Sequence, residues 1–242
     1  MGKITVIDGK NTIDCVVKRG KRRRTMALQV AMNGQVTVMI PHFLNIEIAR
    51  GLVEKKLNWI NKQRSLRKQM YEKYPPKEFV SGESFSIFGR TYRLIILKKK
   101  LAEGYAIKQN RLVVSAYPSS KVKVKSILEN LLRKLTIQQA NEAVKRYAPK
   151  LGVKVNKLFA AKQTKRWGSC TRRGNIRINW KLAMVPLSVF NYVVAHEICH
   201  LKYHDHSDKF WHTLMTILPN YNKSRRWLKE NIGLIASFGE ND

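Results

Sequence analysis

Over the first forty positions apolar and polar residues alternate. Ile4-Thr5-Val6-Ile7 and Asp14-Cys15-Val16-Val17 flank a turn carrying Gly9 and Asn11, and Met26-Ala27-Leu28-Gln29-Val30-Ala31 and Val36-Thr37-Val38-Met39-Ile40 bracket Asn33-Gly34. A period of two marks half-buried strands, and Asn-Gly between two such runs is a strong hairpin signal. Pro41 closes the last of them, and the period changes. Asn45 is placed to cap one long helix over about 46–71, with Ile48, Leu52, Leu57, Trp59, Ile60 and Leu66 mostly at helical spacing. Pro75-Pro76 breaks the pattern. Strands return over 79–115: Phe85–Phe88, a turn at Gly89-Arg90, then Thr91–Leu97, followed by Tyr105–Lys108 and Arg111–Ser115 across Gln109-Asn110. Pro118-Ser119-Ser120 opens a helix over about 121–147, with Val124, Ile127, Leu128, Leu131, Leu135 and Ala143 three and four apart. Pro149 and Gly152 are expected to stop it. No repeat period and no low-complexity linker stands out.

Beyond Val153, Lys157–Ala161 and Asn175–Asn179 read as strands around Arg166-Trp167-Gly168-Ser169-Cys170-Thr171. Pro186 begins a helix through Leu187, Phe190, Tyr192, Val193, Val194, Ile198 and Leu201, apolar except for one polar stripe. Ser207 caps another through Phe210, Trp211, Leu214 and Leu218, and a last helix carries Trp227 and Leu228. The pattern predicts an α+β fold. Its expected division is a β-rich region with one long helix, 1–118, and a helix-rich region, 119–242, or else one continuous domain.

The last buried helix also carries the candidate chemistry. Of six histidines, five fall between positions 196 and 212: His196, His200, His204, His206 and His212. The first two sit in His196-Glu197-Ile198-Cys199-His200. Residues four apart on a helix lie about 5–6 Å apart on one face. Two such imidazoles can reach one Zn²⁺ at about 2.0–2.1 Å, with Glu197 beside them to take a proton from water. A catalytic zinc site needs a third protein ligand. His206, ten residues after His196, has the spacing of the last histidine in HExxHxxGxxH, although Tyr203 stands where that pattern has its turn-forming Gly, so Asp205 is a candidate to build the turn. His204 competes, but eight residues on a continuing helix rotate it about 80° from His196. Glu230 is a more distant alternative. His212 reads as packing and Cys199 as a core thiol. His204, Tyr203 and Arg166 are candidate oxyanion donors. Trp167, Gly168, Ser169 and Cys170 read equally as a substrate-pairing edge strand or cleft loop, with Gly168 permitting close approach, and as a packed turn with Trp167 in the core.

Charge enlarges the list of partners. Lys and Arg number 47 against 16 Asp and Glu, a net charge of +31, and no acidic residue occurs between Glu142 and Glu197. Such a field attracts nucleic acid, nucleotide phosphates and other anionic surfaces. The run Lys18-Arg19-Gly20-Lys21-Arg22-Arg23-Arg24 fits a phosphate-contacting loop, and fits a solvated hairpin rim slightly better. There is no run of about 18 apolar residues, hence no expected membrane span. The start lacks a signal-peptide apolar core, so a cytoplasmic location is expected. Cys15, Cys170 and Cys199 are odd in number and far apart, which argues against a disulfide framework.

Arg166–Cys170, Asn175-Ile176-Arg177-Ile178-Asn179-Trp180, Tyr192-Val193-Val194-Ala195-His196-Glu197-Ile198-Cys199-His200-Leu201, His206-Ser207 and Phe210-Trp211 together resemble the YgjP-like zinc metallopeptidase family, which is related to the WLM and SprT-like zincins. Lys21–Arg24, Asn33-Gly34, Trp59-Ile60 and the segment from Gly82 to Phe88-Gly89-Arg90-Thr91-Tyr92 resemble its N-terminal part, so the likeness covers nearly the whole chain. The resemblance implies a zincin-like metallohydrolase region, one Zn²⁺ held by His196, His200 and His206, and Glu197 as general base. It leaves the substrate open, because some of the family is associated with UTP pyrophosphatase activity. Three functions are therefore carried forward: a zinc metallopeptidase, a metal-dependent nucleoside triphosphate pyrophosphatase, and a nucleic-acid-binding protein with a structural zinc. Retention of Glu197 argues against the third, since a structural site needs no base and usually has four ligands.

Overall fold

A computed structural model describes residues 2–9, 11–31, 33–98, 103–163 and 166–239. The chain divides into two compact units, the described residues within 1–76 together with Gly239, and Lys77–Phe238. The expected division at 118/119 falls inside the second unit, where a sheet and the helix that follows it share one core.

In the first unit, β1 (Gly2–Asp8), β2 (Asn11–Gly20), β3 (Ala27–Val30) and β4 (Val36–Pro41) form a sheet of order β1-β2-β4-β3. The two hairpins are antiparallel, and β2 and β4 meet in parallel, Cys15 opposite Val36. Ile13, Cys15 and Val17 are buried while Thr12 and Asp14 are exposed, the alternation of a sheet with one covered face. Asn33-Gly34 lies in the β3–β4 turn as expected, closed by Ala31 N–H to the Gln35 carbonyl at 2.9 Å. Ala49 and Val53 of α1 (Ile46–Glu54) and Ile60 of α2 (Leu57–Lys73) complete the core. The single helix expected over 46–71 is thus two. The chain breaks at Lys55-Lys56, where the Lys55 N–H turns back to the Gly51 carbonyl, the Lys56 N–H to that of Val53, and Lys56 leaves helical geometry. Asn45 caps α1 as read, its side chain accepting from Glu47 N–H.

The second unit opens with the same wiring. β5 (Ser84–Ile87), β6 (Arg90–Leu97), β7 (Gly104–Lys108) and β8 (Arg111–Ser115) run in the order β5-β6-β8-β7, again with a parallel central pair. The repeat is one of topology, which is why residue-by-residue periodicity does not reveal it. The β5–β6 turn is Phe88-Gly89, one residue earlier than expected, with φ of 47° and 83°. Positive φ at both central positions suits the twist of a two-residue hairpin. The sheet packs Phe85, Ile87, Leu94, Leu112 and Val114 on Val124, Leu128 and Leu131 of α3 (Lys121–Leu151). At 31 residues, α3 is about 46 Å long at 1.5 Å per residue. Its N-terminal half covers this sheet, and its Ala140, Ala143 and Tyr147 belong to the core around the site. Pro149 does not end α3. It lies in the last turn, where it forfeits one backbone bond while its neighbours Tyr147 and Ala148 stay buried, and Gly152 terminates the helix at φ 63°.

The remaining elements are a sheet of β9 (Lys157–Ala161), β10 (Gly168–Cys170) and β11 (Asn175–Asn179) in the order β10-β11-β9, a buried 3-10 turn over Trp180–Met184, and α4 (Leu187–Cys199), α5 (Asp208–Ile217), α6 (Tyr221–Glu230) and α7 (Ile232–Ala236). The mixed α+β class matches the sequence reading. Among the described residues, no helix is long and apolar enough to cross a membrane.

Candidate metal centre

Helix α4 is apolar almost all round: Val189, Phe190, Tyr192–Ala195, Ile198 and Cys199 are buried. Such a helix belongs inside a core, and its polar residues are the exception that marks a cleft. Glu197 is one, only 6% exposed. His196 and, at the C-cap, His200 face the same cleft, one turn apart, with ring centroids 4.9 Å from each other.

The helix stops at His200, so the straight continuation that would carry His204 does not exist. Residues 201–203 fold back through turn bonds, Tyr203 N–H to the Cys199 carbonyl at 2.9 Å among them, and the Asp205 carboxylate accepts from Ser207 N–H at 3.2 Å. Asp205 thus does the turn-building proposed for it, and Ser207 occupies the cap position of α5 without a side-chain cap bond. The reversal brings His206 back, its Nε2 3.1 Å from His196 Nε2. One side-chain nitrogen from each of His196, His200 and His206 lies within 4.8 Å of the others. Tetrahedral ligands about 2.0–2.1 Å from one zinc ion would be about 3.3 Å apart, close to the observed pair.

The protonation state also fits a cation. His200 Nδ1 lies 3.0 Å from the Tyr203 carbonyl, so that nitrogen holds the proton and Nε2 keeps its lone pair. Burial, and then the positive charges of His200, His206 and Arg225, push His196 down to about 3, leaving it neutral, as a ligand must be. Its Nδ1 is buried without a hydrogen-bond partner. His206 is exposed but not loose. Its ring stacks on Trp211 at 5.6 Å, Trp211 stacks on Tyr221 at 5.6 Å, and Tyr221 on Tyr192 at 6.3 Å. The Arg225 guanidinium sits 4.6 Å over the Trp211 ring.

Glu197 meets β10. A Cβ on Gly168 would stand 2.6 Å from Glu197 Oε1 and 2.7 Å from its Cγ. The close approach that Gly168 permits is therefore that of the Glu197 side chain. Burial pushes this carboxyl up to about 8, with Arg166 opposing the shift. Trp167 packs against the core around α4, and its carbonyl accepts from Asn179 N–H at 2.8 Å, while β10 begins at the next residue as an edge strand. Trp167 thus takes the packed position, and the residues after it form an edge strand beside the cavities. Ser169 Oγ accepts from Gln163 Nε2 at 3.1 Å.

Two cavities, each about 460 Å³, share Arg166, Gly168, His196 and Glu197. One continues past Ser169, Cys170, Arg172 and His204 on the histidine side, and the other past Tyr192, Arg225, Leu228 and Lys229. The Tyr203 ring packs against the core, and its carbonyl, not its hydroxyl, addresses the cluster. His212 is exposed, Cys199 is a core thiol, and Glu230 is exposed on α6 outside the three-histidine group. Arg225, Lys229 and Arg172 are cavity residues that sequence reasoning missed. The spacing of Tyr221, Ser224 and Leu228 makes α6 amphipathic, yet the direction its polar face takes is set by packing alone.

A family model described as YgjP-like, metallopeptidase domain, matches residues 24–231. No curated protein matches the chain.

Proposed function

The chain belongs to the YgjP-like metallopeptidase-domain family, and from that premise we propose that it is a zinc-dependent peptidase in which His196, His200 and His206 hold one Zn²⁺ and Glu197 is the general base. The observation that carries this reading is the convergence of three imidazoles within 4.8 Å of one another beside a buried carboxyl. Nitrogen donors in a set of three suit a catalytic zinc, which keeps a further position open. Bound there, the ion would supply a Lewis acid that polarises a scissile carbonyl and acidifies water.

The chain's own residues do the rest. The Glu197 carboxylate takes a proton from water and passes it to the leaving nitrogen. Gly168 lets the carboxyl lie flat against β10, and the walls of Trp167, Tyr192 and Val193 keep bulk water from it. The outer edge of β10 offers backbone groups for an extended substrate to pair with, in the manner of strand addition. Arg166, which lines both cavities with Glu197, is the donor assigned to a developing oxyanion.

A second reading keeps the metal and changes the substrate to a nucleoside triphosphate. It is favoured by Arg166 and Arg172 in the histidine-side cavity, since guanidinium groups bind phosphates in bidentate fashion. A structural zinc in a nucleic-acid-binding protein is disfavoured by the three-ligand set and by Glu197. One experiment separates these: peptides and nucleotides are screened together against zinc-loaded wild type and Glu197→Gln. The reading expects peptide cleavage by the wild type and none by the variant, with about one zinc per chain in both. Protein that binds no zinc ends both hydrolase readings. Pyrophosphate release without peptide cleavage selects the second.

A further inference from the structure

The cavity bounded by α6 joins two chemistries. Its deep wall is apolar, with Tyr192 and Val193 of α4 and Leu228 of α6 all buried. Its mouth is cationic, lined by the exposed Arg166, Arg225 and Lys229. Among the lining residues Glu197 is the sole carboxylate. Arg225 and Lys229 are four apart on α6, so they project from one face of that helix, one turn from each other. Arg225 does not swing freely, because its guanidinium is seated on Trp211 at 4.6 Å. A stacked guanidinium still presents the donors along its edge.

A ligand matched to this cavity puts an apolar group deep and an anion at the mouth. We propose that it binds the C-terminal residue of a peptide, with the apolar side chain against Tyr192, Val193 and Leu228 and the α-carboxylate between Arg225 and Lys229. An internal segment would offer a neutral amide there, which leaves two cations uncompensated. An Asp or Glu side chain inserted to the same depth would bring its charge to the apolar wall, at a desolvation cost. Given the peptidase reading above, on which it rests, this subsite makes the enzyme one that trims C termini. Water adds across the last peptide bond, its oxygen going to the carbonyl carbon and its proton to the nitrogen of the released amino acid.

Binding tests this without turnover. Zinc-loaded Glu197→Gln is titrated into fluorescein-labelled peptides ending in Leu or Phe, each as free acid and as C-terminal amide, and followed by fluorescence anisotropy. The free acid is expected to bind about tenfold more tightly, the scale of one or two charge-assisted hydrogen bonds. Adding Arg225→Ala and Lys229→Ala brings the acid-to-amide ratio close to one, and Arg225→Lys keeps part of it. Lys229→Ala alone, at an exposed position, reports the same trend should loss of Arg225 disturb the Trp211 stack. Equal binding of acid and amide, or a ratio that survives the double substitution, overturns the subsite. So does displacement of both peptides alike by a nucleoside triphosphate, which assigns the cations to phosphate. If the acid preference holds and depends on Arg225 and Lys229 while the wild type cleaves no peptide, the subsite stands and the peptidase reading fails.

Discussion

Replacing Gly168 by Ala adds one methyl group and tests how tightly the base is held. Gly168 has no positive φ, so alanine can adopt its backbone conformation and the perturbation is purely steric. The new Cβ would lie 2.6 Å from Oε1, 2.7 Å from Cγ and 2.8 Å from Cδ of Glu197. Ordinary contact needs about 3.5 Å or more, so either β10 or the carboxyl must move by roughly 0.8 Å. The Glu197 side chain has little room to yield, being 6% exposed on a helix whose Val193, Val194, Ile198 and Cys199 are buried. Overpacking of this kind costs about 1–3 kcal/mol. In a unit of this size that is a fall in Tm of roughly 2–10 °C. The catalytic effect should be larger, since a misplacement of about 1 Å costs on the order of a hundredfold in rate. The expected result is a Gly168→Ala protein that is folded by circular dichroism, binds zinc as the wild type does, and loses about a hundredfold in kcat/KM on whichever substrate the screen finds. Shortening the base should relieve the clash, so Glu197→Asp is expected to cost less in the Gly168→Ala background than alone, a coupling read by a double-mutant cycle. A folded, zinc-loaded Gly168→Ala enzyme with wild-type turnover would refute the reasoning, because it would mean that the contact between β10 and Glu197 can be displaced without consequence.

Three further outcomes follow from the same geometry. His196→Ala, His200→Ala and His206→Ala should each purify with well under one zinc per chain by elemental analysis, whereas His204→Ala should retain it; zinc retained by His206→Ala would remove the third ligand assignment. Trp211→Ala takes away the ring on which His206 stacks and is expected to weaken zinc binding by about 10–100-fold in competition with a chelator, the usual effect of losing a partner that orients a ligand. In metal-free native protein, Cys15 and Cys199 are buried and should resist thiol reagents, and Cys170, pushed up to about 11 by burial and then by Glu197, should be slow. A thiol with that pKa is roughly 0.1% thiolate at pH 8, so its alkylation should quicken about tenfold per pH unit up to pH 10, and a rate flat across that range would contradict the assignment.

What the sequence disclosed about this site was what local spacing controls. His196, Glu197 and His200 were legible because a helix fixes which residues share a face. The hairpins were legible because Asn33-Gly34 and the alternating runs state their own geometry. His206 was reached by its ten-residue offset, but the means of the return was not, since Tyr203 replaces the usual Gly and the reversal is made by turn bonds to Cys199 and by Asp205. The break at Lys55-Lys56 escaped because apolar spacing runs through it with no Pro or cap to announce it. Arg225 and Lys229 escaped for a different reason. Nothing within α6 says which cavity its polar face will line, and that is settled only when Leu228 and Tyr221 find their places in the core.

The twice-used sheet wiring bears on where chemistry resides. Hairpin, hairpin and helix follow one another in both units, with the second strand of each hairpin meeting in the sheet's parallel central pair. In the first unit the helix after the sheet is nine residues long and is spent covering that sheet. In the second it is 31 residues long, and only its N-terminal half is needed for the same task. The surplus turns carry Ala140, Ala143 and Tyr147 into a second core, the one that buries Val194 and Ile198 of α4. Small residues at 140 and 143 let α4 approach closely, and a closely packed helix is a rigid platform for His196, Glu197 and His200. The position of the candidate metal centre thus depends on the length of α3 as much as on the motif. Bulky substitutions at Ala140 or Ala143 should disturb zinc binding although neither residue is part of the three-histidine cluster, whereas equally bulky changes at the buried Ala49, on the shorter helix, should cost stability and leave the zinc content of the folded protein alone. Zinc affinity that tracks Ala49 and ignores Ala140 would show that the platform is not built this way.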